Sequence, residues 1–595
     1  MANAGLCWAA PSPIKSWAGG LDDQDPWQVA QKIADRLSAI TPISGPDFLI
    51  ADHGAKPCEL ISVRAWISHD KQATISSPHP QATDCYAAIA TAIQTCHAAG
   101  GGRVVVPAGN WYCAGPIVLL SNVHVHLQAG AQIFFSPNPA DYARHGDIDC
   151  GPNGRLVRSR WQSNDCLNFS PMIYAIGQSN IALTGEDWSS ILNGQAGVPF
   201  SENGQCWWSY KGNLGNVKRQ QATENGLNAQ NPDNMKMVAP HLTDEQVQLI
   251  QGKDDRWRSD FGYLPALSEA GVPSDRRIFG LGHYLRPPMI QLIDCNAILL
   301  QGYQTTNTPF WQHHPVHCSD LAIRHVWVNS MGPNNDGIDP DACVDVLIDA
   351  CTFNTGDDCI AIKSGKDLDV GYGAAKNIVI QNCTMVSGHG ALTLGSEMSG
   401  GIENIYAQNL VFENKNWKTS GLNTGIRLKT NMNRGGYLRN LYVRNVSLPN
   451  GVSTNAKFYK PLDPAAGLDH VATGAGAIIT IDCDYAPQED NVRNRVPQVS
   501  NIFLTGINAG NVATSSGSYS CYQALAIQGP VRRSYNGSAL HPLIEPVHDI
   551  NISNCSFGTP SNDAQPFYVY NASNIRFTDV RIGAEKLNAV VNAPI

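Results

Sequence analysis

Asn377-Ile378-Val379-Ile380 belongs to a series of short segments that decide the fold of this chain. Each segment begins with Asn or Asp and continues with residues that favour β-strands. The series comprises Asn122-Val-His-Val, Asn180-Ile-Ala-Leu, Asn377-Ile-Val-Ile, Asn404-Ile-Tyr-Ala, Asn440-Leu-Tyr-Val, Asn501-Ile-Phe-Leu, Asp549-Ile-Asn-Ile and Asn574-Ile-Arg-Phe. Such a repeat is typical of a solenoid protein.

A second set of short β-segments follows the first, each by roughly half a coil. It comprises Cys359-Ile-Ala-Ile, Ala391-Leu-Thr-Leu, Gly425-Ile-Arg-Leu, Ile478-Ile-Thr-Ile, Ala524-Leu-Ala-Ile and Phe567-Tyr-Val-Tyr. Two interleaved sets predict an all-β parallel solenoid whose coils stack about 4.8 Å apart. The signals of regular hairpins are too sparse for a β-sandwich, and the variable period argues against a propeller.

Helices are predicted mainly near the start of the chain. Residues 25–40 have an amphipathic pattern, and residues 84–97 form a second helical stretch that ends at three glycines. We therefore predict an N-terminal extension of residues 1–45, with an amphipathic helix, followed by a parallel β-helix catalytic domain of residues 46–595.

Two long insertions interrupt the repeat, at about residues 138–172 and 196–285. The larger one contains Trp207-Trp208 and a helix-like stretch near residues 243–252. Both are too long for ordinary turns, so they are either functional or separately folded. The alternative is that they only cover one flank of the solenoid.

Composition narrows the function classes. The net charge is −9, which argues against a nucleic-acid partner, and no apolar run is long enough to predict a membrane span. The 17 cysteines show no paired metal-ligand spacing, so no metal and no cofactor are predicted. Most cysteines lie in apolar strand patterns and should be buried thiols, whereas Cys150 and Cys166 are the expected disulfide.

Four polar clusters recur at intervals of one coil. They are Asn334-Asn335-Asp336, Gly356-Asp357-Asp358, Gly388-His389-Gly390 and Arg427-Leu428-Lys429. Aligning the strands that carry or follow them matches Ile338 with Ile360, Leu392 and Ile426, at intervals of 22, 32 and 34 residues. The clusters should therefore lie side by side on one face of the solenoid.

Such a patch has the chemistry of a glycoside hydrolase. Neighbouring carboxyls raise at least one pKa, so one can donate a proton while another activates water. Arg427 and Lys429 alternate along one strand and project from one face, where they could bind a substrate carboxylate.

Each cluster also has a purely structural interpretation. Asp-Asp in a turn usually accepts backbone N–H bonds, and a His between glycines is more often a loop residue. Arg427 and Lys429 could form ion pairs with the aspartates, and clustered aspartates could bind calcium. The common register of the four clusters is what favours catalysis.

The four clusters resemble, in order, the N-T-D, G-D-D, G-H-G and R-I-K motifs of the polygalacturonases of glycoside hydrolase family 28. The opening also looks like that family, from Asp52-His53-Gly54-Ala55 to Gly100-Gly101-Gly102-Arg103 and the strand that follows. The resemblance covers roughly residues 46–580. It implies a right-handed parallel β-helix and hydrolysis with inversion at the anomeric carbon.

The resemblance also implies residue roles. Asp357 would be the general acid, Asp336 and Asp358 would hold and activate the water, and His389 would support the protonation state of the site. Arg427 and Lys429 would bind the uronate carboxylate, with Asn334 also placed in the substrate site. Inversion requires the acid and base carboxyls to lie about 6.5–9.5 Å apart.

The sequence departs from the family pattern at several positions. Lys363 stands in Ile362-Lys363-Ser364-Gly365, where endo-acting fungal enzymes typically have Asn, and it could bind a second carboxylate or a chain end. The family's tyrosine on the strand after R-I-K has no evident counterpart in residues 476–479. The stretches 309–315 and 395–401 resemble the exo-acting bacterial and plant-like branch.

The resulting prediction is an inverting hydrolase of α-1,4-galacturonosidic linkages in pectin, exo-acting because the insertions wall off one end of the cleft. The alternatives are a rhamnogalacturonan or xylogalacturonan hydrolase, a pectate lyase, and a non-catalytic carbohydrate-binding solenoid. We expect a secreted or periplasmic monomer whose partner is an acidic polysaccharide or oligogalacturonide.

Overall fold

The computed structural model describes residues 25–212, 214, 239–251, 257, 259–458, 471–486, 495–531 and 546–593. Residues 1–24 of the predicted extension lie outside these ranges. The described α-helices are α1 (Pro26–Ser38), α2 (Tyr86–Ala98), α3 (Asp244–Gln251) and α4 (Asp260–Glu269). Short 3-10 helices lie at Ile50–His53, Pro139–Asp141, Gly151–Asn153, Trp207–Tyr210 and Ser274–Arg276.

The described strands of the first half are β1 (Asp47–Leu49), β2 (Leu60–Trp66), β3 (Gln72–Pro78), β4 (Gly102–Val106), β5 (Gly109–Cys113), β6 (Ile117–Val118), β7 (Val123–Leu127), β8 (Ala131–Phe135), β9 (Ile148–Asp149), β10 (Arg155–Trp161), β11 (Asn164–Asn168), β12 (Ile173–Ile176), β13 (Ser179–Gly185), β14 (Ile191–Asn193), β15 (Ile290–Ile293), β16 (Asn296–Gln301), β17 (Gln304–Thr306), β18 (His313–Val316), β19 (Ser319–Arg324) and β20 (Trp327–Ser330).

The described strands of the second half are β21 (Val344–Asp349), β22 (Thr352–Thr355), β23 (Ile360–Ile362), β24 (Ala375–Gln381), β25 (Thr384–Gly395), β26 (Ile402–Phe412), β27 (Leu422–Lys429), β28 (Tyr437–Leu448), β29 (Ala477–Asp482), β30 (Gln498–Ala509), β31 (Val512–Ala513), β32 (Ser518–Tyr519), β33 (Gln523–Gln528), β34 (Val547–Ser556), β35 (Phe567–Tyr570), β36 (Ala572–Ile582) and β37 (Glu585–Ala593).

These strands form a parallel β-helix, as the two interleaved sets predict. The segments of the first set lie in or directly before strands of one parallel ladder, for example β24, β26, β28 and β30. Those of the second set form another ladder, in which β23, β25, β27, β29, β33 and β35 pair consecutively. A third ladder includes β5, β8, β14, β17, β20, β22 and β25. Apolar side chains inside the coils form one continuous core.

The Asn that begins each repeat has a structural explanation. Asn377, Asn404 and Asn440 have φ angles of 57–58°, in the left-handed region that Asn tolerates better than most residues. Their amides form a ladder between coils, since Asn404 Nδ2 donates to Asn377 Oδ1 at 3.3 Å and Asn440 Nδ2 donates to Asn404 Oδ1 at 3.0 Å. The Asn therefore turns the chain and links successive coils.

Secondary-structure elements cover the ends and one side of the solenoid. Helix α2 packs its apolar residues into the core beside β4, and β37 pairs antiparallel with β36 at the other end. Helix α1, within the predicted amphipathic segment, buries its apolar face against Leu347, Val379 and Tyr406. No described helix has both the length and the apolar character needed to cross a bilayer.

The expected disulfide between Cys150 and Cys166 is wrong. Both residues are free cysteines. Cys166 is buried in β11, opposite Ser159 of β10, where it joins an apolar cluster. The prediction of buried thiols elsewhere is confirmed for Cys318, Cys343 and the other strand cysteines.

Candidate active site

The four polar clusters lie side by side, because the predicted register is confirmed. Ile338 bridges to Ile360, which pairs with Leu392, which pairs with Ile426, all in parallel. The strands of this ladder carry outward-facing polar residues at their ends. Residues separated by up to 95 positions in the sequence are thus brought into one patch.

Three carboxyl groups form the centre of this patch. One oxygen each from Asp336, Asp357 and Asp358 lies within 4.8 Å of the other two. These nearest oxygens lie closer than the about 6.5–9.5 Å predicted between the acid and base carboxyls, and the separation of the whole groups stays a prediction. Asp357 and Asp358 are adjacent in the sequence. The Gly337 N–H donates to the backbone carbonyl of Asp358 at 2.9 Å, so the preceding coil places Asp336 beside Asp358 at the spacing of paired strands.

Asp357 is the carboxyl that remains accessible. Its side chain is 17% exposed, and its Oδ1 lies 2.8 Å from His389 Nδ1, whereas Asp358 is fully buried. Asn334 Nδ2 donates to Asp357 Oδ2 at 3.3 Å. Asp357 is therefore positioned to meet a substrate while its neighbours lie behind it.

Asp358 bonds to both cations of the patch. Lys429 Nζ donates to Asp358 Oδ2 at 2.7 Å, and Arg427 Nη1 donates to Asp358 Oδ1 at 3.3 Å. The ring centre of Tyr485 lies 5.1 Å from Lys429 Nζ and 5.6 Å from Arg427 Cζ. Tyr485 follows β29, so an aromatic ring lies beside both cations although residues 476–479 contain no tyrosine.

The positions on either side of His389 have no room for a side chain larger than that of glycine. A Cβ on Gly390 would lie 2.9 Å from Asp358 Oδ1, and a Cβ on Gly388 would lie 2.8 Å from Asp357 O. Gly388 also has a φ of 157°. These glycines let β25 carry His389 up to the two aspartates.

The protein comparisons agree with this geometry. Residues 282–457, which contain every residue of the four clusters, match the family model for Glycosyl hydrolases family 28. This segment of the chain is similar to that family.

Curated proteins similar to this chain include a probable polygalacturonase of Vitis vinifera, 38% identical over 28% of this chain and 33% of that protein. A polygalacturonase of Ralstonia nicotianae is 25% identical over 61% of this chain and 59% of that protein. The chain thus spans less than two thirds of the length of these relatives. A solved exopolygalacturonase from Thermotoga maritima is 26% identical, with a TM-score of 0.66 over 95% of this chain and 99% of that chain.

The Asn residues of the first family motif shape the site. Asn335 is fully buried, and its amide donates to Thr308 O and Phe310 O, while its Oδ1 accepts from Ser330 Oγ and the Gly332 N–H. Asn in place of the family's Thr therefore ties this turn to the coil beneath.

Arg286 also contributes to the site, although it was not predicted from the sequence. It is buried, and its Nη2 donates to Asn334 Oδ1 at 2.8 Å, which leaves the Asn334 amide nitrogen to donate to Asp357. No motif marks this arginine, since it lies at the end of the second insertion.

Lys363 lies deeper than a surface substrate ligand. Its Nζ is 3.0 Å from Glu397 Oε2 and donates to Gly395 O at 3.1 Å, and it lies 4.7 Å from the centre of the Trp311 ring. Trp311 and Glu397 come from the two stretches that resemble exo-acting enzymes. The fold thus brings both stretches together at Lys363.

Asp339 is a second buried carboxyl that sequence reasoning did not single out. Its two oxygens have no hydrogen-bond partner among the described residues, and Lys363 Nζ lies 3.9 Å from Oδ1. Burial raises the pKa of Asp339 well above its ordinary range, and the neighbouring Asp336 raises it further. These shifts favour the uncharged form of Asp339.

Burial and charge separate the carboxyl pKa values. Burial raises the pKa of Asp336 well above its ordinary range, and the Asp357 carboxylate adds to the shift. Burial also opposes ionisation of Asp358, but Lys429 and Arg427 outweigh it, so the pKa of Asp358 is lowered. These opposite shifts favour the protonated form of Asp336 and the ionised form of Asp358.

Asp357 and His389 form an ion pair. Burial opposes ionisation of Asp357, but His389 beside it outweighs burial and lowers its pKa below the ordinary range. In return, the Asp357 carboxylate raises the pKa of His389. A general acid at Asp357 must therefore take up a proton when the substrate binds.

The three aspartates are also the described group whose oxygens could hold a metal ion. Both Asp358 oxygens already bond to Arg427 and Lys429. A bound cation would therefore compete with two protein cations for the same oxygens.

The two insertions pack together beside the patch. Strands β10 and β11 form an antiparallel hairpin, and α3 and α4 pack on it through an apolar cluster that includes Trp161 and Phe310. The Trp161 ring stacks on Phe310 at 5.0 Å, and Phe310 stacks on Trp311 at 5.1 Å. We call β10, β11, α3 and α4 the end wall.

Buried charges fix the end wall to the solenoid. Arg160 Nε lies 2.8 Å from Asp341 Oδ2, and Arg277 Nη1 lies 2.6 Å from Asp369 Oδ2. Trp208, which is fully buried in the main core, donates to Thr308 O at 2.8 Å. The larger insertion is thus anchored in the core rather than laid over one flank.

Proposed function

We propose that this protein hydrolyses α-1,4-galacturonosidic linkages of polygalacturonan, the acidic backbone of pectin. The observation that supports this most strongly is the accessible Asp357, bonded to His389 and flanked by two carboxyls and two cations. Relatives named polygalacturonase support the same substrate class.

In the proposed reaction, Asp357 protonates the glycosidic oxygen while water attacks the anomeric carbon. Asp358 is the ionised carboxyl and accepts the proton of that water. Asp336, protonated in the free site, holds the water by hydrogen bonding. Inversion requires space for this water between the acid and base carboxyls.

Binding of the substrate should raise the pKa of Asp357 and so cause its protonation. A uronate carboxylate bound by Arg427 and Lys429 would weaken their attraction to the aspartates and add a negative charge nearby. Both effects raise carboxyl pKa values, as does the exclusion of water. The proton of the His389 imidazolium, 2.8 Å from Asp357, is the nearest supply.

We propose exo action, because the end wall stands beside Lys363, Trp311 and the catalytic carboxyls. An endo-acting enzyme needs a cleft that is open at both ends. The likeness to the Thermotoga maritima exopolygalacturonase over nearly the full length of both chains supports this mode.

We also propose that the protein works outside the cytoplasm, secreted or periplasmic, and as a monomer. Its substrate is a large cell-wall polymer, which reaches the enzyme only in those compartments. The division into residues 1–45 and 46–595 is likewise proposed, with α1 as the described part of the extension.

The test is hydrolysis of polygalacturonate compared with rhamnogalacturonan, followed by the anomeric configuration of the first product. We expect new reducing ends from polygalacturonate only, and an inverted anomer in the proton NMR spectrum. A retained anomer would favour Asp358 or Asp336 as a nucleophile, and cleavage of rhamnogalacturonan alone would contradict the substrate.

A further inference from the structure

A second concave site lies beyond the catalytic patch. It is a depression of about 760 Å³, in the size range of ligand pockets. Its lining includes four aromatic residues, Trp417, Phe458, Tyr519 and Tyr522, among serine, threonine and asparagine side chains. We call it the distal pocket.

The distal pocket shares a strand with the catalytic patch. Asn423, near the start of β27, lines the pocket, and Arg427 lies four residues further along the same strand. Alternate residues face the same side, so the two positions lie about 13 Å apart on one surface. Thr424 Oγ1 donates to the His389 carbonyl at 3.1 Å, which joins this strand to the catalytic histidine.

The aromatic contacts of the end wall and the distal pocket lie in different coils, and Glu269 of α4 also reaches Arg495 Nη1 in a later coil, at 2.7 Å. The wall packs on Phe310 and Trp311, in a coil that precedes Asp336. The pocket is lined by residues from Asn414, in the loop before β27, to Ser561, all of which follow His389 in the sequence. A chain whose end rests against the wall would therefore pass Asp357 and continue toward the pocket.

The lining suits an acidic sugar chain. Aromatic faces stack on the apolar faces of sugar rings, and the surrounding hydroxyl and amide groups can bond to sugar hydroxyls. None of the described residues that line the pocket is acidic. Lys418 is exposed, with its Nζ 5.2 Å from the centre of the Trp417 ring, so it adds a positive charge at the rim.

The walls of the pocket are held in place before any ligand binds. The Asn414 side chain is fully buried, donates to Asn450 O and Gly451 O, and accepts from the Leu422 N–H. It thereby ties together three chain segments around the pocket. On the opposite rim, Tyr519 OH donates to Ser516 O at 3.0 Å within the β31–β32 hairpin.

We propose that the distal pocket binds sugar residues of the polygalacturonate chain that remain polymeric after cleavage. This inference rests on the proposed function, since it takes the same polymer as the ligand. It makes the enzyme selective for long chains, because short oligogalacturonides fill the catalytic patch without reaching Trp417.

Binding is measured by titration calorimetry with the full chain carrying Asp357→Asn, which prevents turnover. The ligands are digalacturonate and an oligogalacturonate of about ten residues. We expect Trp417→Ala and Lys418→Glu each to weaken binding of the long ligand by about tenfold and to leave digalacturonate unchanged. Lys418 is exposed, so the Lys418→Glu variant should keep the fold. The control is Phe503→Ala, which removes an exposed aromatic residue outside the pocket.

Unchanged binding of the long ligand in both variants would overturn the proposal, as would an equal loss for the two ligands. Hydrolysis of polygalacturonate by the unmutated protein is scored separately. An inactive protein that still binds the long ligand through Trp417 would contradict the proposed reaction but not the proposed binding of the polymer by the distal pocket.

Discussion

At the scale of single residues, the arrangement around Asp357 separates three chemically identical side chains. Asp336 is buried and has a raised pKa, Asp358 is buried and paired with cations, and Asp357 is accessible and paired with His389. The environment, rather than residue type, thus assigns each carboxyl a different task.

Asp357→Asn is expected to fold normally and to lose most turnover. An amide of the same shape cannot donate the proton to the leaving oxygen, and general acid catalysis contributes about 10²–10⁴-fold. The measurement is kcat on polygalacturonate, with circular dichroism as the check on folding. The control is Asp579→Asn, which changes an exposed carboxyl on β36, and an Asp357→Asn enzyme with full activity would refute the mechanism.

His389 is expected to set the alkaline limb of the pH profile. Asp357 raises its pKa, so the imidazolium persists above the ordinary histidine value of about 6.5 and is lost as pH rises through the raised pKa. We therefore expect kcat/KM to fall as the pH rises through the raised pKa of His389. On the acid side, kcat/KM should fall only below the ordinary carboxyl range, because Asp358 has a lowered pKa. In His389→Gln the alkaline limb should disappear; an unchanged limb would assign it to another group.

At the scale of elements, the Asn ladder stabilises the coils. Asn404 bonds to Asn377 and Asn440 and has a left-handed backbone. Asn404→Ala should lower the free energy of unfolding by about 2–4 kcal/mol, from two lost bonds and the strain of a positive φ. Asn404→Gly should cost less because glycine tolerates that φ, and equal losses in chemical denaturation would contradict the strain component.

The ion pair of Arg160 with Asp341 is expected to hold β10 to the solenoid. Both side chains are at most 1% exposed, so Arg160→Leu leaves a buried carboxylate without its nearest cation. We expect a loss of about 3–5 kcal/mol in the free energy of unfolding. Adding Asp341→Asn should recover part of this loss.

A matched control for Arg160 is Lys586→Leu, whose partner Asp579 is 56% exposed. An exposed pair of this kind contributes about 0–1 kcal/mol. Equal losses in the two variants would mean that burial does not determine the contribution of the Arg160 pair.

At the scale of the whole molecule, the end wall and the cleft predict the product pattern. If the wall closes one end, a polygalacturonate chain can be cut only near its terminus. Early products should be the shortest galacturonides, with little loss of viscosity, as measured by chromatography and viscometry on the same samples. A ladder of mid-length oligomers at early times would contradict exo action.

The sequence alone determined the coil register, because each Asn-led strand carries its own periodic signal. That register already placed Asp336, Asp357, His389 and Arg427 in neighbouring coils. The helix of residues 26–38 was likewise predictable from its apolar face. Local patterns suffice here because each coil of a solenoid packs mainly on the coils next to it.

Only the tertiary structure decided the distances and the long-range partners. It placed the three carboxyls within 4.8 Å, brought Tyr485 beside Lys429, and set Arg286 behind Asn334. It also kept Cys150 and Cys166 apart as free thiols and joined the two insertions into one wall. These features depend on packing between loops of irregular length, whose paths no repeat in the sequence specifies, whereas the strands follow from a pattern that returns with every coil.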